Sequence, residues 1–174
     1  DFFSSELSTT MSEATSVRIE LSPSDGAPAQ VLKASTKLEA GEVIDASFMS
    51  VDKLRSFFEE SLQSANKSDL MVSLHLKATM MKISDPIMFG HFVSVFFKDA
   101  FAKHADAFAA LGVNPNLGLG SLYAKPKALP DAEREAIEAD LAKCYESRPK
   151  LAMVDSDKGI TNLHVSSGAR FAAA

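Results

Sequence analysis

Residues 70–101 constrain the fold most, because two different hydrophobic periods meet there within about thirty positions. Leu70, Val72, Leu74 and Leu76 alternate with Met71, Ser73, His75 and Lys77, the period of two that a strand with one buried face requires. Ser84-Asp85-Pro86 then reads as a helix start. Asp85 or Ser84 is the expected cap, and Pro86 suits the first turn, where its missing N–H costs nothing. Phe89, Phe92, Phe96, Phe97 and Phe101 follow at helical spacing and cover well over half the circumference, so this helix is expected between layers. A strand thus carries His75 and Lys77 to its C-terminal end, just ahead of a long helix. In α/β proteins ligands gather at that end of the sheet.

The remaining elements are shorter. Residues 1–14 are Ser/Thr-rich and weakly patterned, and are expected to be a loop. Val17, Ile19 and Leu21 alternate, Ser22-Pro23-Ser24-Asp25-Gly26 is turn chemistry, and 30–34 offers a return strand, so a hairpin is expected. Residues 37–44 suit another short strand. Ser50 is read as the cap of a helix with Leu54, Phe57, Phe58 and Leu62 facing inward. Gly112 is expected to end the phenylalanine-rich helix, unless a break near His104 comes first. Residues 113–127 are expected to be the longest irregular stretch. A third helix starts at Pro130 or Asp131, with Ile137, Leu141 and Tyr145 inward, Cys144 beside them and Pro149 closing it. Strands at 151–154 and 160–165 flank the turn 155–159. The fold class expected is α/β: a layered domain over 1–165 with a mixed sheet, an N-terminal β-hairpin and about three main helices, ahead of an irregular tail at 166–174.

Composition excludes some partners. The 174 residues suffice for a sizeable core. A net charge of −5, without any Lys/Arg run, disfavours nucleic acid and anionic membranes. No apolar run approaches the ~20 residues of a membrane helix, and no basic-plus-apolar leader is legible. The single cysteine, Cys144, fits a reducing compartment. A chain that opens on Asp1 is expected to be cut from something longer.

Several residues could carry chemistry. Lys77 beside His75 suits an acid–base pair, since burial and neighbouring charge lower a lysine pKa. The same pattern suits a snorkelling lysine with a hydrogen-bonded histidine, and pattern alone favours that plainer reading. Gly118-x-Gly120 opens like a phosphate fingerprint, but position 123 is Tyr and no clean strand precedes it, so a loop is expected. His91 and His104 lie about 220° apart around a helix and make no metal pair. Asp155 and Asp157 could ligate a cation, although such acids more often brace a turn. Met71, Met80, Met81 and Met88 read as core filler.

The blocks HLKATMMKISDPIMFGH (75–91), LAMVDSDKGITNLHV (151–165), AGEVIDASFMS (40–50) and GVNPNLGLGSLYAK (112–125) resemble the monomeric type of NADP-dependent isocitrate dehydrogenase. The resemblance runs in order from about Asp1 to Val165. It implies part of an enzyme that oxidises and decarboxylates isocitrate to 2-oxoglutarate with NADP and Mg or Mn. It gives Lys77 the proton-transfer role. His75 and Thr79 become its flanking candidates, with Asp157 and Asn162 candidate residues of the same cleft. It also implies that the isocitrate-binding Ser/Asn/Arg segment precedes residue 1. The metal-binding aspartates, catalytic tyrosine and most of the NADP site would follow residue 165, and the tail SSGARFAAA departs from the family there. The segment is therefore expected to lack a metal ligand, to bind no cofactor alone and to be inactive by itself. Its expected partners are isocitrate and the remainder of the parent polypeptide, in the cytoplasm, or the mitochondrial matrix for a eukaryotic source. The alternative expectation is a stand-alone, non-catalytic relative serving as a binding or assembly module.

Overall fold

The computed structural model describes residues 2–74, 76, 81–155 and 160–165. They fall into two compact units, Asp1–Ser50 and Val51–Ala174.

In the first unit, a one-turn helix α1 (Phe2–Ser5) leads into β1 (Leu7–Thr10), which pairs antiparallel with β4 (Val43–Ala46). The loop expected over 1–14 is thus corrected. Both faces of β1 are exposed, so no apolar alternation marks it, and its order comes from a partner more than thirty residues away. The Ser5 hydroxyl donates to the Phe48 carbonyl at 2.6 Å and pins the start of this ribbon to its end. The expected hairpin is present as β2 (Thr15–Leu21) against β3 (Gln30–Leu38). Its turn holds Gly26 at φ 81°, where Asp25 Oδ1 accepts the Ala27 N–H at 3.0 Å. The strand expected at 37–44 is divided: Lys37 and Leu38 finish β3, and Gly41 at φ 82° turns the chain into β4.

The second unit opens with α2 (Val51–Lys67), where Phe58 and Leu62 are buried and Leu54 half-buried. Phe57 instead stands 62% exposed, because the i, i+4, i+8 stripe through 54, 58 and 62 already fills the inner face. Then comes β5, only Val72–Ser73. The strand expected over 70–77 is shorter because β6 pairs with it at just two positions, yet Val72, Leu74 and Leu76 do share the more buried side.

The phenylalanine-rich helix is three helices: α3 (Ser84–Phe96), α4 (Lys98–Lys103) and α5 (Ala105–Leu111). Its cap is Ile83, with no side-chain hydrogen bond, and not Asp85 or Ser84. Asp85 lies inside the first turn, buried, where its charge suits the positive helix end and the Ser84 hydroxyl donates to it at 3.4 Å. The breaks fall at Phe97 (φ −103°, ψ 25°) and His104 (φ −113°, ψ 27°). The first lets two consecutive rings, Phe96 and Phe97, enter the core together with centroids 4.9 Å apart. Gly112, left-handed at φ 63°, ends the run, and Val113 N–H reaches back to the Phe108 carbonyl at 2.9 Å.

The stretch expected to be irregular, 113–127, is mostly helical. A 3-10 turn at Pro115–Leu117 precedes α6 (Leu119–Ala124) and a second 3-10 turn at Lys125–Ala128. Asn114 Oδ1 accepts from Asn116 N–H at 3.0 Å, and the Ser121 hydroxyl accepts from Asn114 N–H at 3.0 Å. This segment packs on α3 at Gly90, where any Cβ would lie 1.8 Å from Asn116 Oδ1. Only glycine permits that approach. Gly118-x-Gly120 is therefore the joint into α6, with Gly118 at φ 73°.

As expected, α7 (Asp131–Ser147) buries Ile137, Leu141 and Cys144. It delivers β6 (Leu151–Asp155), followed by β7 (Ile160–Val165). The sheet order β5-β6-β7 combines a parallel and an antiparallel pair, so it is mixed, as expected for this α/β fold. The core of this unit is a cluster in which Phe96, Phe97, Leu122 and Leu141 are at most 1% exposed.

Candidate active-site rim

The parallel pairing of β5 and β6, Val72 with Leu151 and Ser73 with Ala152, sends both strands out of the sheet at the same end. From that end β5 runs toward residues 75–80, and β6 runs from Asp155 toward 156–159. The antiparallel strand β7 begins there too, with Ile160 opposite Asp155. Of the predicted site residues, His75, Lys77, Thr79 and Asp157 lie outside the described residues. Asn162 belongs to β7, near its start beside that rim. The topology thus directs the segments bearing all five toward one sheet end.

The approach to this rim is tied down by charge. Arg148, at the end of α7, has 9% of its side chain exposed and pairs with Glu59 of α2 at 3.0 Å. Its guanidinium also lies 5.9 Å from the centre of the Phe96 ring. Two residues later the Lys150 carbonyl accepts the Val72 N–H at 2.8 Å. The register of β6 on β5 therefore follows from how α7 ends. Burial alone would raise the Glu59 pKa, but hydrogen bonds from Gln63, Lys98 and Arg148 outweigh it and hold the carboxyl below its ordinary range. An open groove of about 420 Å³ beside it is lined by Arg55, Ser56, Glu59, Glu60, Val95 and Lys98.

A second charged centre escaped the sequence reading. Asp140, 8% exposed on α7, accepts from Lys103 at 2.6 Å, His104 at 2.8 Å and Lys143 at 2.9 Å. His104 sits at the α4–α5 break, so this carboxylate fastens the break to α7. The three donors, Lys103 foremost, hold its pKa far below the usual carboxylate range. A group whose folded pKa is depressed stabilises fully above its unfolded pKa and loses that contribution as pH falls. Asp140→Asn is expected to cost about 1.5–3 kcal/mol at neutral pH, nearer the lower figure because both lysines are mostly solvated. The gap between the two proteins should narrow as pH drops below about 4. Urea unfolding across pH measures it, and a gap constant from neutral to acid would refute the assignment.

Other reactive groups are quiet. Burial pushes the Cys144 thiol up, so it stays protonated and is a core residue rather than a nucleophile. Burial likewise raises Tyr123 and Tyr145, whose hydroxyls lie 3.3 Å apart. Among the described residues no group of three His, Cys, Asp or Glu side chains could hold a metal ion. They do not fit a divalent cation, and none is assigned as a ligand. Among them, too, no helix is long and apolar enough to cross a membrane.

The family model described as Monomeric isocitrate dehydrogenase matches residues 1–173. The chain belongs to that family. Its similarity to Isocitrate dehydrogenase [NADP] 2 of Colwellia maris is 55% identity over 167 residues, 96% of this chain and 22% of the relative. Isocitrate dehydrogenase [NADP] of Azotobacter vinelandii is 52% identical over the same shares. Isocitrate dehydrogenase [NADP] 2 of Mycobacterium tuberculosis is 51% identical over 164 residues, 94% of the chain and 22% of that protein. The chain therefore spans about a fifth of the length of the curated relatives it matches. The motif blocks around Lys77, Gly112 and Leu151 had pointed to this family, and the match covers the stretches between them as well.

Proposed function

We propose that this chain is a segment of an NADP-dependent isocitrate dehydrogenase that converts isocitrate to 2-oxoglutarate and carbon dioxide. The observation that carries the reading is the family match over 1–173, whose named relatives are all NADP isocitrate dehydrogenases. The parallel β5–β6 end supports it, because the segments bearing the candidate site residues issue from there. NADP as hydride acceptor and Mg or Mn as the divalent ion are part of the proposal, held by polypeptide other than the described residues.

The residues of this segment have a defined task in that reaction. Hydride loss from C2 requires the C2 hydroxyl to lose its proton, and loss of the β-carboxylate as carbon dioxide leaves an enolate that must regain one at C3. Lys77 is the proton carrier at the substrate oxygen, its amine tuned by desolvation and neighbouring charge. His75 and Thr79 flank and orient it, and Asp157 and Asn162 line the same cleft. The setting is cytoplasmic, in keeping with a single buried thiol.

The test is isocitrate-dependent reduction of NADP, with Mg or Mn, by the purified full-length protein that carries this segment. Turnover is expected there, and none from the 174-residue chain alone. A folded full-length protein that fails to reduce NADP would overturn the proposal. A reading frame that stops at Ala174 would transfer support to the binding-module alternative.

A further inference from the structure

The first unit has almost no interior of its own. Among its described residues Leu38 is the one buried apolar side chain. Its larger ribbon, β2 with β3, leaves Ile19 51%, Leu21 49%, Val31 48% and Leu32 58% exposed. A two-stranded ribbon in water is marginal unless a further strand or an apolar layer covers it. Apolar side chains clustered on an otherwise uncovered ribbon mark a contact surface. We infer that the β2–β3 ribbon is a docking surface for an apolar strand or sheet face of the same polypeptide, from outside residues 1–174. The inference rests on the reading that this segment belongs to a longer enzyme, whose relatives are more than four times its length.

The ribbon's charges argue against a second copy as the occupant. Strand β3, QVLKASTKL, carries Lys33 and Lys37 and no acidic residue, so two β3 edges meeting would set lysines against lysines. On β2, the Arg18 guanidinium is already paired with Glu20 at 2.9 Å. The occupant that fits is therefore apolar in its middle and carries carboxylates opposite Lys33 and Lys37.

Hydrogen exchange read by mass spectrometry over 15–38 tests this. In the full-length protein these amides are expected to exchange at least about 1,000-fold more slowly than in an unstructured chain. That protection should survive tenfold dilution and be lost in the 174-residue chain. Fast exchange in the full-length protein would overturn the inference. So would protection that vanishes on dilution, which would identify a second copy, or equal protection in the 174-residue chain. These readouts do not depend on turnover, so a full-length protein that failed to oxidise isocitrate would sink the enzymatic reading and leave the exchange result standing.

Discussion

Lys77→Met in the full-length protein is expected to lower kcat for isocitrate oxidation by about 10²–10⁴-fold, the usual worth of a positioned proton-transfer group. Methionine keeps the length and apolar stem of lysine while removing the only atom able to carry a proton. The loss should fall on kcat far more than on KM, because the interaction removed is stronger in the transition state than in the ground state. Thermal unfolding of the variant should match that of the parent, since the core centred on Phe96 and Phe97 does not draw on this side chain. Steady-state kinetics and a melting curve on the same preparation read both effects. Unaltered turnover would remove Lys77 from the mechanism. A variant that lost activity only through unfolding would do the same.

Phe96→Ala should have the largest effect on stability. The ring is 0% exposed and sits at a junction of aromatic contacts: Phe92 at 6.2 Å, Phe97 at 4.9 Å and Tyr145 at 5.5 Å. Truncation would open a cavity joining α3, α4 and α7 and would remove the surface over which the Arg148 guanidinium lies. A loss of about 3–5 kcal/mol is expected from such a change. Because Arg148 anchors the entry to β6, Phe96→Ala should also loosen the β5–β6 pairing, seen as faster exchange at 72–73 and 151–152. Chemical denaturation followed by tyrosine fluorescence gives the stability change. A loss below about 1 kcal/mol would mean that the cluster repacks around the gap.

Much of the fold was legible where local signals and tertiary contacts agree. The β2–β3 hairpin combines alternation with a Ser-Pro-Ser-Asp-Gly turn, and α7 runs from Asp131 up to Pro149 with acids in its first turn. Elsewhere distant contacts decide. The Ser and Thr of β1 form a strand because β4 lies alongside, and residues 113–128 coil into short helices because Asn114 meets Ser121 and Asn116 fills the space over Gly90. The breaks at Phe97 and His104 carry neither Gly nor Pro. They follow from burying adjacent rings and from the pull of Asp140, neither of which a single helix pattern encodes.

The site was legible in a different way. Alternation placed Lys77 beyond a strand end, but its proton-carrying role came from resemblance to the family. The Asp140 centre, the Glu59–Arg148 pair and the parallel β5–β6 register have no short-range signature, since their partners lie 36 or more residues apart. Sequence motifs name the chemistry here, and long-range pairing decides where it can assemble.

The most direct measurement of the central claim is the rate at which the Lys77 amine is reductively methylated in the full-length protein, with and without saturating isocitrate and Mg. Peptide mass spectrometry resolves Lys77 from Lys98, a half-exposed lysine of α4 that serves as the internal control. Isocitrate should slow modification of Lys77 sharply and leave Lys98 unchanged. Equal slowing of both, or of neither, would contradict a substrate cleft at the β5–β6 end.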